Sequence, residues 1–460
     1  MLNRGYYTRG PSDASDRGEG PRLRRSRTST RSVIVHVLIL NWRDPEHPSA
    51  GGAEAYLAEI ARLLLARGDR VTWLAGAHPA RSGKRSSPPR TELTDFADGL
   101  MNLSRRGRSF SVYPAAALTY LHRLRGRVDL VIDGENGIPF FSPLYSRVPK
   151  IALVHHVHRE IFELELPAPL ALLGRWLEGR LMPWAYRREW FVAVSESTRR
   201  ELLELGVAAD RMAVVHNGLD TRRFTPGTDG EPSDILWLGR LRRYKSVETL
   251  LDAAARLHAA GSAARVVIAG DGPERAPLER HAARLGLAER IEFLGFVGEE
   301  RKLRLLRGAR IVVQTSRKEG WGMTVLEANA CGVPVVAADV PGLRDSVRHR
   351  MTGLLVPWGD AESLAAALGN LLRDDPLHAR LSAGARAWAR SFSWRASGAR
   401  WLELIDARSA GGAIPSALRH DRISSPTSDA GTPADVARSP DEVDAPIRAR
   451  SAAPQEAPLP

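Results

Sequence analysis

The sequence predicts an α/β protein built from two doubly wound, Rossmann-like domains, and three observations carry that prediction. Short apolar runs alternate with amphipathic stretches along most of the chain. They fall into two sets, separated by a Gly- and Pro-rich segment where periodicity stops. At 460 residues the chain exceeds what one core sustains, so two domains are expected.

The first set opens with a strand over 33–40. A helix over 53–66 follows, with Tyr56, Leu57, Ile60, Leu63 and Leu64 on one face, then strands over 71–75, 130–132, 151–154 and 191–194. The second set has strands over 235–238, 266–269, 291–294, 311–313 and 333–337. The boundaries expected are a basic N-terminal segment over 1–31, an N-terminal domain over 32–217, a linker over 218–233 and a C-terminal domain over 234–393. A helix over 394–407 and a tail over 408–460 complete the chain. The two end segments lack apolar periodicity and do not offset their ordering entropy, which predicts disorder. The first also lacks the apolar core of a secretory signal.

Composition narrows the class. Hydrophobic residues at 43% and charged residues at 26% are ordinary for a soluble globular protein. No apolar run approaches the roughly 18 to 20 residues of a membrane span. The single cysteine, Cys331, excludes an intrachain disulfide and a cysteine-based zinc site, and it predicts a reducing, cytoplasmic setting. Residues 1–31 hold eight arginines against three acids, leaving +8 of the net +13 on the rest of the chain. That surplus favours anionic partners. Arg105, Arg106 and Arg108, with Arg123, Arg125 and Arg127, form either a solvated basic face or a contact with an anionic membrane surface at the inner face of the membrane.

The stretch over 316–339 is the most informative. Glu319 and Glu327 stand eight positions apart around a glycine-bearing turn that opens a helix, whose unpaired amides suit an anion. Gly320 and Gly322 allow backbone to approach a ligand. Gly51 and Gly52 lie where the first strand turns into its helix, and they serve either a phosphate or only a tight turn. No G-x-G-x-x-G accompanies them, which weighs against a nicotinamide cofactor. Arg240 and Lys245 leave the loop after the first strand of the second set, where two cations suit a diphosphate. His155 directly follows an apolar strand, where parallel sheets present ligand-binding residues. His156 and His158 are close by. A metal is discounted there, because alternation sends His155 and His156 to opposite sides and no carboxylate-rich partner is evident. Gly270 and Asp271 end one strand, Phe296 and Val297 another, and Ser195 reads as a helix N-cap.

The Glu319 to Glu327 spacing resembles the E-x7-E signature of retaining glycosyltransferases of family 4, and the G-R-L-x-x-x-K arrangement at Arg240 and Lys245 resembles the same family. The resemblance extends from about Val33 to Asp406. It implies the two-domain GT-B fold, with the helix over 394–407 crossing back onto the first domain and both sheets facing an interdomain cleft. It also implies that Arg240, Lys245, Gly51 and Gly52 meet the donor diphosphate with backbone from Gly322, Met323 and Thr324. By the same resemblance Glu319 holds sugar hydroxyls, Glu327 holds the ribose diol, His155 orients the sugar, and Gly270, Asp271, Phe296 and Val297 line the base pocket. Two departures stand out, Ser246 where a glycine is frequent and Asp345 where a longer acid is expected.

The function expected is a retaining transfer of a hexose from a nucleoside-diphosphate sugar to a hydroxyl of a glycan, lipid-linked or small-molecule acceptor, with no cofactor and no metal. Asp133, Glu135 and Asn136 at a strand end are placed on the acceptor side. Three alternatives stand beside it: a sugar-nucleotide epimerase or hydrolase on the same fold, a basic nucleic-acid-binding protein and a nicotinamide oxidoreductase. No nucleic-acid partner is expected, since no aromatic-interleaved basic platform accompanies the charge.

Overall fold

A computed structural model of the protein describes residues 34–48, 50–78, 91–96 and 99–420. The expected N-terminal segment over 1–31 lies outside these residues, as does the tail beyond His420. The first sheet contains β1 (His36–Leu40), β2 (Arg70–Ala75), β3 (Thr91–Phe96), β4 (Gly99–Arg105), β5 (Leu130–Glu135), β6 (Lys150–Val154), β7 (Trp190–Ala193) and β8 (Met212–Val214). The second contains β9 (Ser233–Leu238), β10 (Val266–Ala269), β11 (Ile291–Gly295), β12 (Ala309–Gln314), β13 (Val335–Ala338) and β14 (Gly353–Val356).

The first sheet runs β3-β4-β2-β1-β5-β6-β7-β8, parallel throughout except for the antiparallel edge strand β3. The second runs β11-β10-β9-β12-β13-β14 and is wholly parallel. In each sheet the order reverses beside the first strand, between β1 and β5 and between β9 and β12. A doubly wound sheet opens a crevice at that reversal, at the carboxyl ends of the strands. Both faces of each sheet are covered, so the central strands are uniformly apolar: Val37, Leu38, Ile39 and Leu40 in β1 and Ile235, Leu236, Trp237 and Leu238 in β9 are all buried.

The helix Gly52–Arg67 shows why these residues fold as they do. Tyr56, Leu57, Ile60, Ala61 and Leu64 recur at helical spacing and are buried. Gly68 ends the helix at φ 95°, and its N–H donates back to Leu64 and Leu65. On its buried face Tyr56 Oη donates to the Val215 carbonyl at 2.7 Å and accepts from Trp401 Nε1 at 2.7 Å. Trp401 belongs to the helix Trp394–Ser409, which returns from the second half to pack on the first. Leu63 lies against Gly398, Arg67 pairs with Asp406 at 2.6 Å, and Arg408 pairs with Glu189 while donating to the Lys150 carbonyl at 3.2 Å.

The expected tail begins too early at 408. Among the described residues beyond 408, Ile414 and Leu418 are buried in the same core as Trp401. The expected linker over 218–233 is pinned along much of its length. Gly218 abuts Trp394, Asp229 pairs with Arg307 at 2.8 Å, and Glu231 takes Arg301 and Arg304, both at 3.1 Å. Ser233 already belongs to β9. No described helix is long and apolar enough to cross a membrane.

The Tyr56 hydroxyl is the polar hinge of the back-crossing helix. Tyr56→Phe leaves the buried Trp401 N–H unpaired and is expected to cost about 1 to 3 kcal/mol. Trp401→Ala, which also opens a cavity, is expected to cost about 3 to 5 kcal/mol. Urea unfolding of both variants checks this, and equal, near-zero losses would contradict the packing role.

Candidate active site

Four segments from the two halves converge at the reversal points. After β1 come Asn41 to Ala50 and the start of the helix Gly52–Arg67, and after β6 comes the histidine run. After β9 comes the Arg240 loop, and after β12 the Glu319 loop with the helix Met323–Ala330. Gly51 approaches Arg240 so closely that a Cβ there would strike the guanidinium. A Cβ on Gly52 would come 3.7 Å from Met323 Cγ. A Cβ on Gly320 would run into the His155 carbonyl, so this glycine is required for backbone contact between the halves. Gly51, Gly52, Arg240, Met323, His155 and the Glu319 loop are thus brought together.

Lys245 sits on a tight turn, Arg243–Lys245, before the helix Val247–Ala259. The Thr315 hydroxyl fixes this turn by donating to the Lys245 carbonyl at 2.8 Å. The Lys245 ammonium pairs with Glu319 Oε1, which also accepts from the Ser316 hydroxyl at 2.7 Å. Burial opposes the charge on Lys245, yet Glu319 beside it outweighs that and raises its proton affinity overall. Both bonds go to one glutamate oxygen, which spares the other.

Arg43, which the sequence reading did not single out, follows β1 and joins this group. Burial lowers its proton affinity, Glu54 opposes that, and Arg240 and Arg242 lower it further. His47 feels burial, Arg43, His78 and Arg240, and is pushed down to about 4. Cationic side chains from both halves therefore crowd one crevice. The N–H of Gly51 is turned inward to Glu54 Oε2 at 2.6 Å, which takes it from the set expected for a phosphate. Gly52 and Ala53 open the helix with amides that have no acceptor within it. On the opposite side Gly322, at φ 78°, caps the helix Met323–Ala330, so the amides of Met323 and Thr324 are likewise its first-turn donors.

Other expected residues lie further out. Glu327 is buried, with Oε1 accepting from Lys302 Nζ at 2.8 Å, and Lys302 also pairs with Glu299 at 3.0 Å. Burial raises the Glu327 carboxyl, Lys302 opposes this and Glu299 reinforces it. Neither partner was visible in the sequence, because both come from a separate helix, Glu299–Gly308. Gly270, at φ 147°, would strike the Gly239 carbonyl with any Cβ, so its need for glycine comes from packing on the Arg240 loop. Asp271 is exposed and receives the Gly272 N–H at 2.8 Å. Phe296 is 69% exposed at the end of the edge strand β11, with Val297 half-buried beside it.

Ion pairs and hydrogen bonds tie the two walls together. Lys318 pairs with Glu201, Arg317 with Glu160 at 3.3 Å and Arg242 with Glu165 at 3.3 Å. Asp345, one of the two departures from the family pattern, accepts the Ser197 N–H at 3.0 Å. Ser195 caps that same helix, accepting from the Thr198 N–H at 3.1 Å. Arg105 is committed to Asp44 at 2.8 Å and Glu46 at 2.6 Å, which removes it from the basic face expected to meet a membrane.

The histidines divide. His155 is 8% exposed, packs edge-on to Tyr56 with ring centroids 5.7 Å apart, and has no partner for Nε2. His156 stacks on His158 at 4.1 Å, and its surroundings include Lys318 and Lys245. The sequence reading chose His155, and the charges of Lys318 and Lys245 bear on its neighbour His156. Burial first, and then His158, push His155 down to about 4, so it is neutral near pH 7. An unfolded histidine titrates near 6.5. As pH falls from about 6.5 to about 4 the unfolded chain takes up a proton the native state refuses, and the stability tied to His155 declines. The His155 ring resonance is expected to stay unchanged from about pH 8 to 5.5 by NMR, whereas a midpoint near 6.5 would contradict its burial.

Comparison with known proteins follows the same lines. The model described as Glycosyltransferase Family 4 matches residues 50–223, and that described as Glycosyl transferases group 1 matches residues 220–388. A D-inositol 3-phosphate glycosyltransferase of Nocardia farcinica is 38% identical over 424 residues, covering 85% of this chain and 92% of its own length. One from Thermobispora bispora is 30% identical over 425 residues, covering 83% and 95%. Sucrose-phosphate synthase from Thermosynechococcus elongatus superposes with a TM-score of 0.68 at 20% identity, over 82% of this chain and 100% of its own. Anabaena HepE, solved with UDP-glucose, gives 0.65 at 20% identity, over 81% and 99%. These two structures bear on the fold alone. With both halves matched in order and two parallel sheets meeting at a crevice, the chain belongs to glycosyltransferase family 4 and is a nucleotide-sugar glycosyltransferase of the GT-B fold.

Proposed function

We propose that the protein transfers a hexose, with retention at the anomeric carbon, from a nucleoside-diphosphate sugar to an acceptor hydroxyl. One observation carries this reading: Arg240 and Lys245 stand at the second reversal point, and Arg240 meets the glycine turn of the first. Arg43, Arg240 and Lys245 outnumber the carboxylates Glu54 and Glu319 beside them, and a pyrophosphate would balance that surplus. As the bond from the anomeric carbon to the phosphate oxygen breaks, charge builds on the diphosphate, and prepositioned cations stabilise it most at that moment. The departing oxygen takes the proton of the acceptor hydroxyl while that hydroxyl bonds to the oxocarbenium-like carbon on the same face. Glu319 holds sugar hydroxyls with its spared oxygen, and the amides of Met323 and Thr324 add donors. No metal is needed at the diphosphate, because the arginine and lysine supply its positive charge.

The relatives' names give D-inositol 3-phosphate as what they glycosylate, and HepE binds UDP-glucose. A phosphorylated polyol and UDP-hexoses are therefore the first pair to assay, with GDP-hexoses and lipid-linked or glycan acceptors after them. Arg240→Ala and Lys245→Ala are each expected to lower turnover by roughly 100-fold or more. Full activity in either variant would remove the diphosphate assignment. Turnover of donor without any acceptor would move the reading to hydrolysis or epimerisation.

The same proposal includes contact with an anionic membrane. The helix Ala168–Trp176 and its continuation expose Leu170, Leu172, Leu173, Trp176 and Trp184, flanked by exposed Arg175, Arg180, Arg187 and Arg188. Apolar side chains among arginines fit the boundary of an acidic bilayer. The protein is expected to sediment with vesicles containing anionic phospholipid and not with zwitterionic ones. Leu172→Glu combined with Trp176→Glu should weaken that binding by about tenfold or more, and undiminished binding would contradict this surface.

A further inference from the structure

On the acceptor side of the crevice, three side chains from three separate elements point at one another. Glu135 ends β5, His158 precedes the helix Arg159–Glu165, and Glu178 lies in the turn Leu177–Leu181. One carboxylate oxygen from each glutamate and one imidazole nitrogen all lie within 4.8 Å of one another. Glu178 Oε1 is 3.4 Å from His158 Nδ1 and accepts the His158 backbone N–H at 2.6 Å, which fixes the ring's entry into the group.

Both carboxylates are buried, and His158 is half-buried beside them. Glu135 is 1% exposed and Glu178 is 0% exposed. Neither oxygen of Glu135 has a hydrogen-bond partner, nor does Glu178 Oε2 or His158 Nδ1. Asp133, two residues earlier on the same face of β5, shows the contrast. It receives the Tyr186 hydroxyl, the Ser142 hydroxyl at 2.7 Å and the Phe140 N–H at 3.2 Å. The fold therefore gives one buried carboxylate three donors and its neighbour only the approach of the Gly137 N–H. Burial first, then the negative charges of Glu178 and Asp133, hold the proton affinity of Glu135 well above the ordinary range, against the opposing Gly137 N–H. Buried carboxylates without partners are costly, and they persist where something neutralises them.

The local backbone is shaped for the group as well. The helix Ala168–Trp176 passes into Met182–Ala185 through a π turn containing Glu178, and such an inserted residue redirects a side chain and recurs at functional sites. Gly137, at φ 98°, lets the loop after Glu135 close over the His158 ring, since a Cβ there would stand 3.2 Å from its Cγ. The sequence reading discounted a metal near these histidines for want of carboxylates. The fold supplies two from positions 23 residues before and 20 residues after His158.

We propose that Glu135, His158 and Glu178 form a binding site for a first-row divalent cation. Two carboxylates and one imidazole are a mixed oxygen and nitrogen set, which suits Mn²⁺ or Zn²⁺ better than Mg²⁺ or a thiolate-seeking ion. The ion neutralises the two carboxylates and fixes the orientation and tautomer of His158. His158 stacks on His156, whose surroundings include Lys245 and Lys318, so the site braces the histidine run from the acceptor side. It stands apart from the diphosphate cations and does not depend on the identity of donor or acceptor.

The test uses the full chain, stripped with EDTA and desalted, and titrated with MnCl₂ while free Mn²⁺ is followed by electron paramagnetic resonance, with ZnCl₂ as competitor. The expected result is one saturable Mn²⁺ per chain, displaced by Zn²⁺. Affinity should fall more than about 100-fold in Glu135→Gln and in Glu178→Gln, beyond the cost of outer-shell changes. Circular dichroism checks that these isosteric variants fold, and His158→Ala serves as the alternative should one not. Crystals grown with Mn²⁺ should give an anomalous peak between the three side chains. Absence of saturable binding, equal affinity in the folded variants, or a peak elsewhere overturns the proposal. Absence of binding with Glu135→Gln more stable than wild type would show instead that the two carboxylates share a proton.

Discussion

Repulsion among cations in a partly closed crevice is the constraint around which the rest of this molecule is arranged. Arg43 from the first half and Arg240, Arg242 and Lys245 from the second share surroundings that include Glu54 and Glu319 as counter-charges. Holding like charges together in reduced dielectric costs free energy, and the cost is recovered when an anion enters. Both sheets contribute because each reverses its strand order beside its first strand, so both reversal points face the same space. The glycines follow from the same demand, since Gly51 and Gly320 bring backbone from one half to within contact of the other.

Holding the halves in register is the task of a second set of interactions away from the charge. The helix Trp394–Ser409 begins in the second half and buries Trp401, Leu404 and Ile405 against the first. Aromatic rings continue that seam, with His216 stacked on Trp321 at 4.0 Å and Trp321 edge-on to Phe392 at 5.1 Å. Two of the ion pairs across the crevice, Arg242 with Glu165 and Arg317 with Glu160, are more exposed, and individually such pairs contribute little. Apolar packing therefore sets the relative placement of the halves, while the polar contacts at the rim tune it.

Much of this was legible in the sequence because parallel strands buried on both faces are continuous apolar runs. The strands over Val266–Ala269 and Ile235–Leu238 declare themselves in that way. The edge pair Thr91–Phe96 and Gly99–Arg105 did not, since edge strands carry polar residues and show no unbroken run. Met212–Val214 is too short to register, and Gly353–Val356 begins on a glycine. In the crevice, Arg240, Lys245, Gly51 and Glu319 were singled out from the sequence because local motifs surround them. Arg43 and Lys302 were missed for the opposite reason, and Glu135 and His158, though both were noted, were not joined to each other or to Glu178, since each acquires meaning only from a partner distant in sequence. The surroundings of the three neighbouring histidines likewise needed the fold, which reveals that His155 packs on Tyr56 and that His156 stacks on His158.

A crystal structure with an intact nucleoside-diphosphate hexose tests the central claim most directly. The account predicts the pyrophosphate between the helix start at Gly52 and the side chains of Arg240 and Lys245, with Lys245 drawn partly away from Glu319. A pyrophosphate bound elsewhere, or an Arg240 guanidinium turned out of the crevice with the donor in place, would contradict it.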